Sequence, residues 1–148
     1  MRTFRRILHA TDFSSASRGA FRKAVELAKA GRGSLLIVHV LPSLPITADA
    51  YVAATIYDEL LRGQRAAAKK QLDRLVATAR TAGVRASGLL LDFGVPAERI
   101  ARVARSKRAD VIVMGTHGRT GFKRFILGSV AARVLALASC PVLTVRAR

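Results

Sequence analysis

The sequence predicts an α/β fold: a single doubly wound domain over residues 1–148, with a five-stranded parallel sheet covered by helices on both faces. Three observations carry this reading. Short apolar runs alternate with longer stretches of helical periodicity along the chain. Runs such as SLLIVHVL and DVIVMG are continuously apolar and rich in branched residues, as strands covered on both faces are. Strand–helix–strand order then calls for right-handed crossovers, which leave the strands parallel.

The first strand is RRILHA, residues 5–10, closed by TDFSSAS, in which Asp12, Ser14 and Ser15 are good helix caps. From Ser17 to Gly31 a helix is predicted, with Ala20, Ala24, Leu27 and Ala28 at helical spacing and Gly31 and Gly33 ending it. SLLIVHVL, residues 34–41, is the second strand, and Pro42 and Pro45 mark the loop after it. A long helical pattern follows from about Asp49 to Thr81, broken or frayed near Gly63. VRASGLLLDFG supplies the third strand. VPAERIARVARSKRA supplies the third helix, opened by Pro96 in its first turn, and DVIVMG the fourth strand. After a glycine-rich loop, SVAARVLALAS forms a short helix with Val130, Val134, Leu137 and Ala138 on one side, and PVLTVRA ends the chain as the fifth strand.

A chain of 148 residues, 51% apolar and 24% charged, has the length and composition of one globular domain. Its longest apolar runs fall short of the roughly 20 residues a membrane span needs, and its first residues lack the apolar core of a signal peptide. The expectation is a soluble cytoplasmic protein without membrane insertion. Cys140 is the one cysteine, so no internal disulfide forms, and LASCPVL reads as a small buried hydrophobe. The formal charge of +17 attracts anions of every kind, nucleotides and nucleic acid included, without choosing among them. Many arginines sit beside alanines at helix spacing, the pattern of a solvated helix face. With no Trp and two Tyr, the chain offers few groups for base contacts.

In a doubly wound sheet, ligands gather beyond the carboxyl ends of the strands, where the strand order reverses. The longest loop at those ends contains MGTHGRTGFKRFILGS, with Gly115, Gly118, Gly121 and Gly128. A phosphate needs several backbone N–H groups aimed at one point, and glycine permits the close approach this demands. A helix beginning at Gly128 and Ser129 adds free N–H groups and the positive end of its dipole, while Arg119, Lys123 and Arg124 raise the local anion concentration. The spacing is neither a Walker A sequence nor Gly-x-Gly-x-x-Gly. On physics alone the loop is either a phosphate cradle or an ordinary connection.

Across nearly its whole length the sequence resembles the universal stress protein family. The likeness runs through RILHATDFSSAS, LLIVHVL, GVPAERIARVARSKRADVIVMGTHGRTG and LGSVAARVLALASCPVLTVR. Gly115, two residues, Gly118, nine residues, Gly128, Ser129 matches the signature of that family's ATP-binding branch. The resemblance implies a Rossmann-like, adenine nucleotide alpha hydrolase-like fold. It also implies that Ala10, Thr11 and Asp12 end the first strand against the ribose or adenine, and that Val40 lines the adenine pocket. Met114 and Gly115 would bound the ribose, and Gly118, Arg119, Gly128, Ser129 and Val130 would surround the phosphates. Ala10 stands where a proline is common in relatives. The implied cofactor is ATP, or AMP or ADP, and Mg2+ could arrive with it, keeping water and phosphate oxygens as ligands. The resemblance further implies a homodimer joined through the last strand, residues 141–146, whose exposed edge invites pairing.

Ser129 and Asp12 each have a second reading as a plain helix cap. His9 and His39, in the first two strands, read as histidines bonded into the core or sheet end, while His117 in the glycine loop is placed to approach a phosphate. No spacing of His, Cys and carboxylates suggests a protein metal site. Three function classes follow: a nucleotide-binding regulatory or stress-response switch, a slow ATPase or phosphotransferase, and a nucleic-acid or acidic-surface binder. The first ranks highest, because hydrolysis needs a group to orient water and no convincing general base is present.

Overall fold

A computed structural model of the chain describes residues 3–44, 54–117 and 127–146. In chain order its elements are β1 (Arg6–Ala10), α1 (Ser15–Ala30), β2 (Ser34–Val40), α2 (Ala54–Thr81), β3 (Arg85–Leu91), α3 (Pro96–Ser106), β4 (Val111–Gly115), α4 (Ser129–Leu137) and β5 (Val142–Val145). All four strand pairings are parallel, and the five strands lie in the order β3-β2-β1-β4-β5. The doubly wound α/β class expected from the sequence is the one observed. The chain runs outward from β1 to β3, crosses back to β4 and runs outward again to β5. The order therefore reverses between β1 and β4, where Ala10 pairs with Met114.

Alternation along the strands divides the core in two. Ile7, Leu35, Ile37, Val111 and Val113 face α1 and α2, meeting Ala20, Phe21, Ala24, Leu72 and Val76. Leu8, Ala10, Val38, Ile112 and Met114 face α3 and α4, meeting Ala97, Ile100, Ala104, Ala131 and Val134. Small residues dominate the helix sides of both layers, which lets helices lie close on the sheet. Each fully buried Ile or Leu contributes about 1.5–3 kcal/mol.

Helix α1 begins at Ser15, two residues before the expected Ser17, because Ser14 caps it: its hydroxyl accepts the Ser17 N–H at 3.3 Å. Helix α2 is continuous from Ala54 to Thr81, so the expected break near Gly63 does not occur. Gly63 is exposed, with nothing within 4 Å of the position a Cβ would take, and it lowers helix stability without interrupting the hydrogen bonds. The expected apolar side of α4 is corrected in part: Val134 is buried and Ala138 packs against the core as expected, whereas Val130 and Leu137 are exposed and Ala131 is buried in their place. Cys140 is half-buried rather than buried, and partial desolvation, with the Asp110 charge, pushes its thiol up. His9 and His39 are both buried.

Three helices finish in the same manner. Arg32, Gly83 and Arg108 adopt left-handed backbone, at φ 48°, 86° and 52°. In each turn the N–H of that residue bonds three residues back, and the next N–H bonds five residues back: Gly33 to Ala28, Val84 to Ala79, Ala109 to Ala104. These are Schellman ends, in which glycine is the favoured left-handed residue.

Candidate functional site

The loops after β1 and β4 and the start of α4 enclose a cleft of about 290 Å³ at the reversal of strand order. Its floor is β1, β2 and β4, with α3 contributing Pro96 and Ile100 to one wall. Of the site residues expected from the sequence, Ala10, Thr11, Asp12, Val40, Met114, Gly115, His117, Gly128, Ser129 and Val130 all line it. Gly118 and Arg119 lie outside the described residues. Ser17, His39 and Thr116 also line the cleft, and sequence reasoning missed them as site residues.

The β1 side is held by a chain of hydroxyls. Ser17 Oγ donates to the Ser14 carbonyl at 2.9 Å, so the Thr11 hydroxyl donates to Ser17 Oγ at 3.0 Å. Thr11 Oγ1 in turn accepts the Phe13 N–H, and Asp12 Oδ1 accepts the Ser14 N–H, both at 3.0 Å. These bonds hold Phe13 at φ 62°, a left-handed conformation that costs a bulky residue roughly 1 kcal/mol or more. The Phe13 ring stacks on His39 at 4.2 Å between centroids, and His39 Nδ1–H donates to the Thr11 carbonyl at 2.8 Å. The strained turn fixes the Asp12 carboxylate at the cleft.

The β4 side is built on close backbone approach. Gly128 N–H donates to the Thr116 carbonyl at 2.7 Å, and a Cβ at Gly128 would lie 2.9 Å from that same oxygen. A Cβ at Gly115 would come within 3.2 Å of the His117 carbonyl. Both positions therefore favour glycine for space rather than for positive φ. The first bond of α4 runs from Ala132 N–H to the Gly128 carbonyl at 2.9 Å, which leaves the N–H groups of Ser129, Val130 and Ala131 without intrahelical acceptors. These three residues line the cleft, which places the positive end of the α4 dipole there. Thr116 Oγ1 and His117 Nδ1 are 2.9 Å apart, while the buried His117 Nε2 has no hydrogen-bond partner among the described residues.

His9 lies behind the cleft. Its Nδ1–H donates to the Val113 carbonyl at 3.0 Å, and its Nε2 is buried without a partner beside Phe21. Burial pushes its pKa down to about 4, against a partial upward pull from the Val113 bond and the Asp12 charge. Among the described residues no cluster of His, Cys, Asp and Glu could hold a metal, and no helix is long and apolar enough to cross a membrane.

The sequence profile of the Universal stress protein family matches residues 3–146. Universal stress protein MJ0531 of Methanocaldococcus jannaschii is 36% identical over 144 residues, covering 97% of this chain and 82% of that protein. Among solved structures, a universal stress protein family member from Burkholderia pseudomallei is 30% identical at a TM-score of 0.77, covering 99% of this chain and 98% of that one. The universal stress protein of Archaeoglobus fulgidus in complex with dAMP is 26% identical at a TM-score of 0.67, covering 98% of this chain and all of that one. A matching profile from end to end, a relative of this identity and a shared five-stranded fold lead to one conclusion: the chain belongs to the universal stress protein family.

Proposed function

We propose that the cleft binds an adenine nucleotide, ATP or its mono- or diphosphate, and that the bound state sets this cytoplasmic protein's contacts with partners as a regulatory switch. The observation that carries this reading is the meeting of the α4 N-terminus with the glycine-lined turn after β4 at the point where the strand order reverses. In this arrangement the phosphates sit at Gly128, Ser129 and Val130; Gly118 and Arg119, outside the described residues, are the family-signature positions proposed to join them. Ser129 offers both its hydroxyl and its backbone N–H. The sugar rests on Met114 and Gly115, and the base lies toward Ala10, Thr11, Asp12 and Val40. The volume stands at the small end of the range for ligand pockets, which suits a mononucleotide. The dAMP complex of the Archaeoglobus fulgidus relative supports the same ligand class. Any Mg2+ would come with the phosphates. A second copy is proposed to pair along β5, which lies at the sheet edge.

Slow ATP hydrolysis or phosphotransfer has one observation in its favour, the Nε2 of His117 in the same cleft, which has no partner among the described residues. One experiment separates the readings. Nucleotide released from the purified, denatured protein is identified by mass spectrometry, and intact protein is then incubated with ATP and Mg2+. ATP that is bound and stays intact supports the switch; conversion to ADP or AMP favours the enzyme. Gly128→Val should weaken nucleotide binding in calorimetry by at least tenfold, about 1.4 kcal/mol, because its side chain meets the Thr116 carbonyl. Full affinity in a folded variant refutes the phosphate cradle.

A further inference from the structure

At the opposite end of the sheet, where the strands begin and the helices finish, the surface is almost purely cationic. Arg5 and Arg6 lead into β1, Lys29 and Arg32 flank the α1–β2 turn, and Arg85 opens β3. Arg105, Lys107 and Arg108 close α3, and all of these side chains are exposed. The acid in these turns is Asp110, and it is already occupied. It accepts the backbone N–H groups of Arg5 and Arg6 at 3.0 and 2.8 Å and pairs with the Arg6 guanidinium at 2.9 Å. No other carboxylate stands within residues 3–6, 29–34, 80–85, 105–110 or 137–141.

Cations at helix ends offset the dipole and satisfy carbonyls, which accounts for a few of these residues. It does not account for Arg32 and Arg108. Both occupy left-handed positions of Schellman ends, where Gly83 serves the same backbone need in the α2–β3 turn. At these two turns the chain carries a guanidinium in a conformation that favours glycine, and the side chain projects into solvent.

From this we infer that the strand-start end of the molecule is a second binding surface, which docks on the phosphate backbone of a duplex nucleic acid without reading its sequence. Arginine outnumbers lysine there, and its planar fork matches phosphate oxygens in pairs. These cations stand at the starts of β3, β2, β1 and β4, and four strands spaced about 4.8 Å apart give a row roughly 14 Å wide, about the span of four base pairs. No exposed aromatic residue lies in these turns to stack on an unpaired base or to anchor in a lipid interface, which favours a duplex over a single strand or a bilayer. The surface is separate from the nucleotide cleft, so both could be occupied at once.

The left-handed turns supply the test. Arg32→Gly with Arg108→Gly removes two charges while giving both turns their favoured residue, so the melting temperature should hold or rise. Binding of a short labelled duplex DNA of mixed sequence, followed by fluorescence anisotropy across a salt series, should weaken at least about tenfold. The slope of log K against log salt should fall by about two, and nucleotide binding in the cleft should be unchanged. Lys69→Ser with Lys70→Ser removes the same charge from the exposed side of α2 and should weaken duplex binding far less. Equal weakening by both pairs would mean that net charge alone acts, and would overturn the assignment. So would absence of duplex binding by the unaltered protein at about 100 mM salt, or binding to phosphatidylglycerol vesicles in place of duplex.

Discussion

His9 couples the interior of the protein to pH. Its unfolded pKa is 6.5 and its folded pKa is about 4, so between these values the unfolded chain binds a proton that the folded chain refuses. Stability is therefore full above about pH 6.5 and declines as pH falls toward 4, by roughly 3 kcal/mol from this residue. Urea unfolding at pH 7 and pH 5 should show that decline, and His9→Leu should flatten it; an equal pH dependence in both would refute the assignment. That His9 is interior was legible from its place in RRILHA, because a histidine flanked by strand hydrophobes has few other destinations. The role of Thr11 and Ser17 was not. Their hydroxyl chain depends on the left-handed turn at Phe13, and nothing in TDFSSAS announces a bulky residue at φ 62°. Gly128, by contrast, was legible as a position of close approach. The structure supplies the partner, the carbonyl of Thr116.

Gly63 occupies an exposed position inside the longest helix of the fold, with no atom near enough to be displaced by a methyl group. Replacing it with alanine should stabilise the protein by about 1 kcal/mol and raise the melting temperature by roughly 2–4 °C in calorimetry. An unchanged or lowered value would mean that the glycine serves something other than the helix. The expectation of a break there weighed local propensity correctly but omitted the packing of Ala68, Leu72 and Val76 further along the same helix, which holds α2 against β3. Helix α4 failed in the opposite direction. In SVAARVLALAS nearly every residue is apolar or small, so periodicity cannot choose the whole face, and the sheet buries Ala131 beside the expected Val134 while Val130 and Leu137 stay exposed. Elements with mixed composition, such as α3 with Pro96 at its start and Arg102 and Arg105 outward, were placed from sequence to within a few residues.

For the whole molecule, the strand order leaves two open edges, β3 and β5. The Pro141 and Val145 carbonyls bond to Ile112 and Thr116 of the β4 segment, so the backbones of Val142 and Thr144 point to the open side of β5. Thr144→Pro therefore removes an edge donor while leaving the β4–β5 ladder intact, and should reduce the proposed dimer to monomer in light scattering at micromolar concentration. An unchanged mass would move the assembly to another surface. The number and direction of the strands were legible from sequence, whereas their order was not, because it depends on which side of β1 the fourth strand joins.

That order also governs how the chain can fold while it is being made. β1 finds β2 early, since Leu8 pairs with Leu36, but its other side waits for Ile112, 104 residues later. Until the ribosome has released β4, the strand destined for the centre of the sheet is an edge, with Leu8 and Ala10 lacking the cover of Ile112, Met114, Ala131 and Val134. Nascent chains halted before Val111 should therefore be the species that chaperones hold and proteases cut.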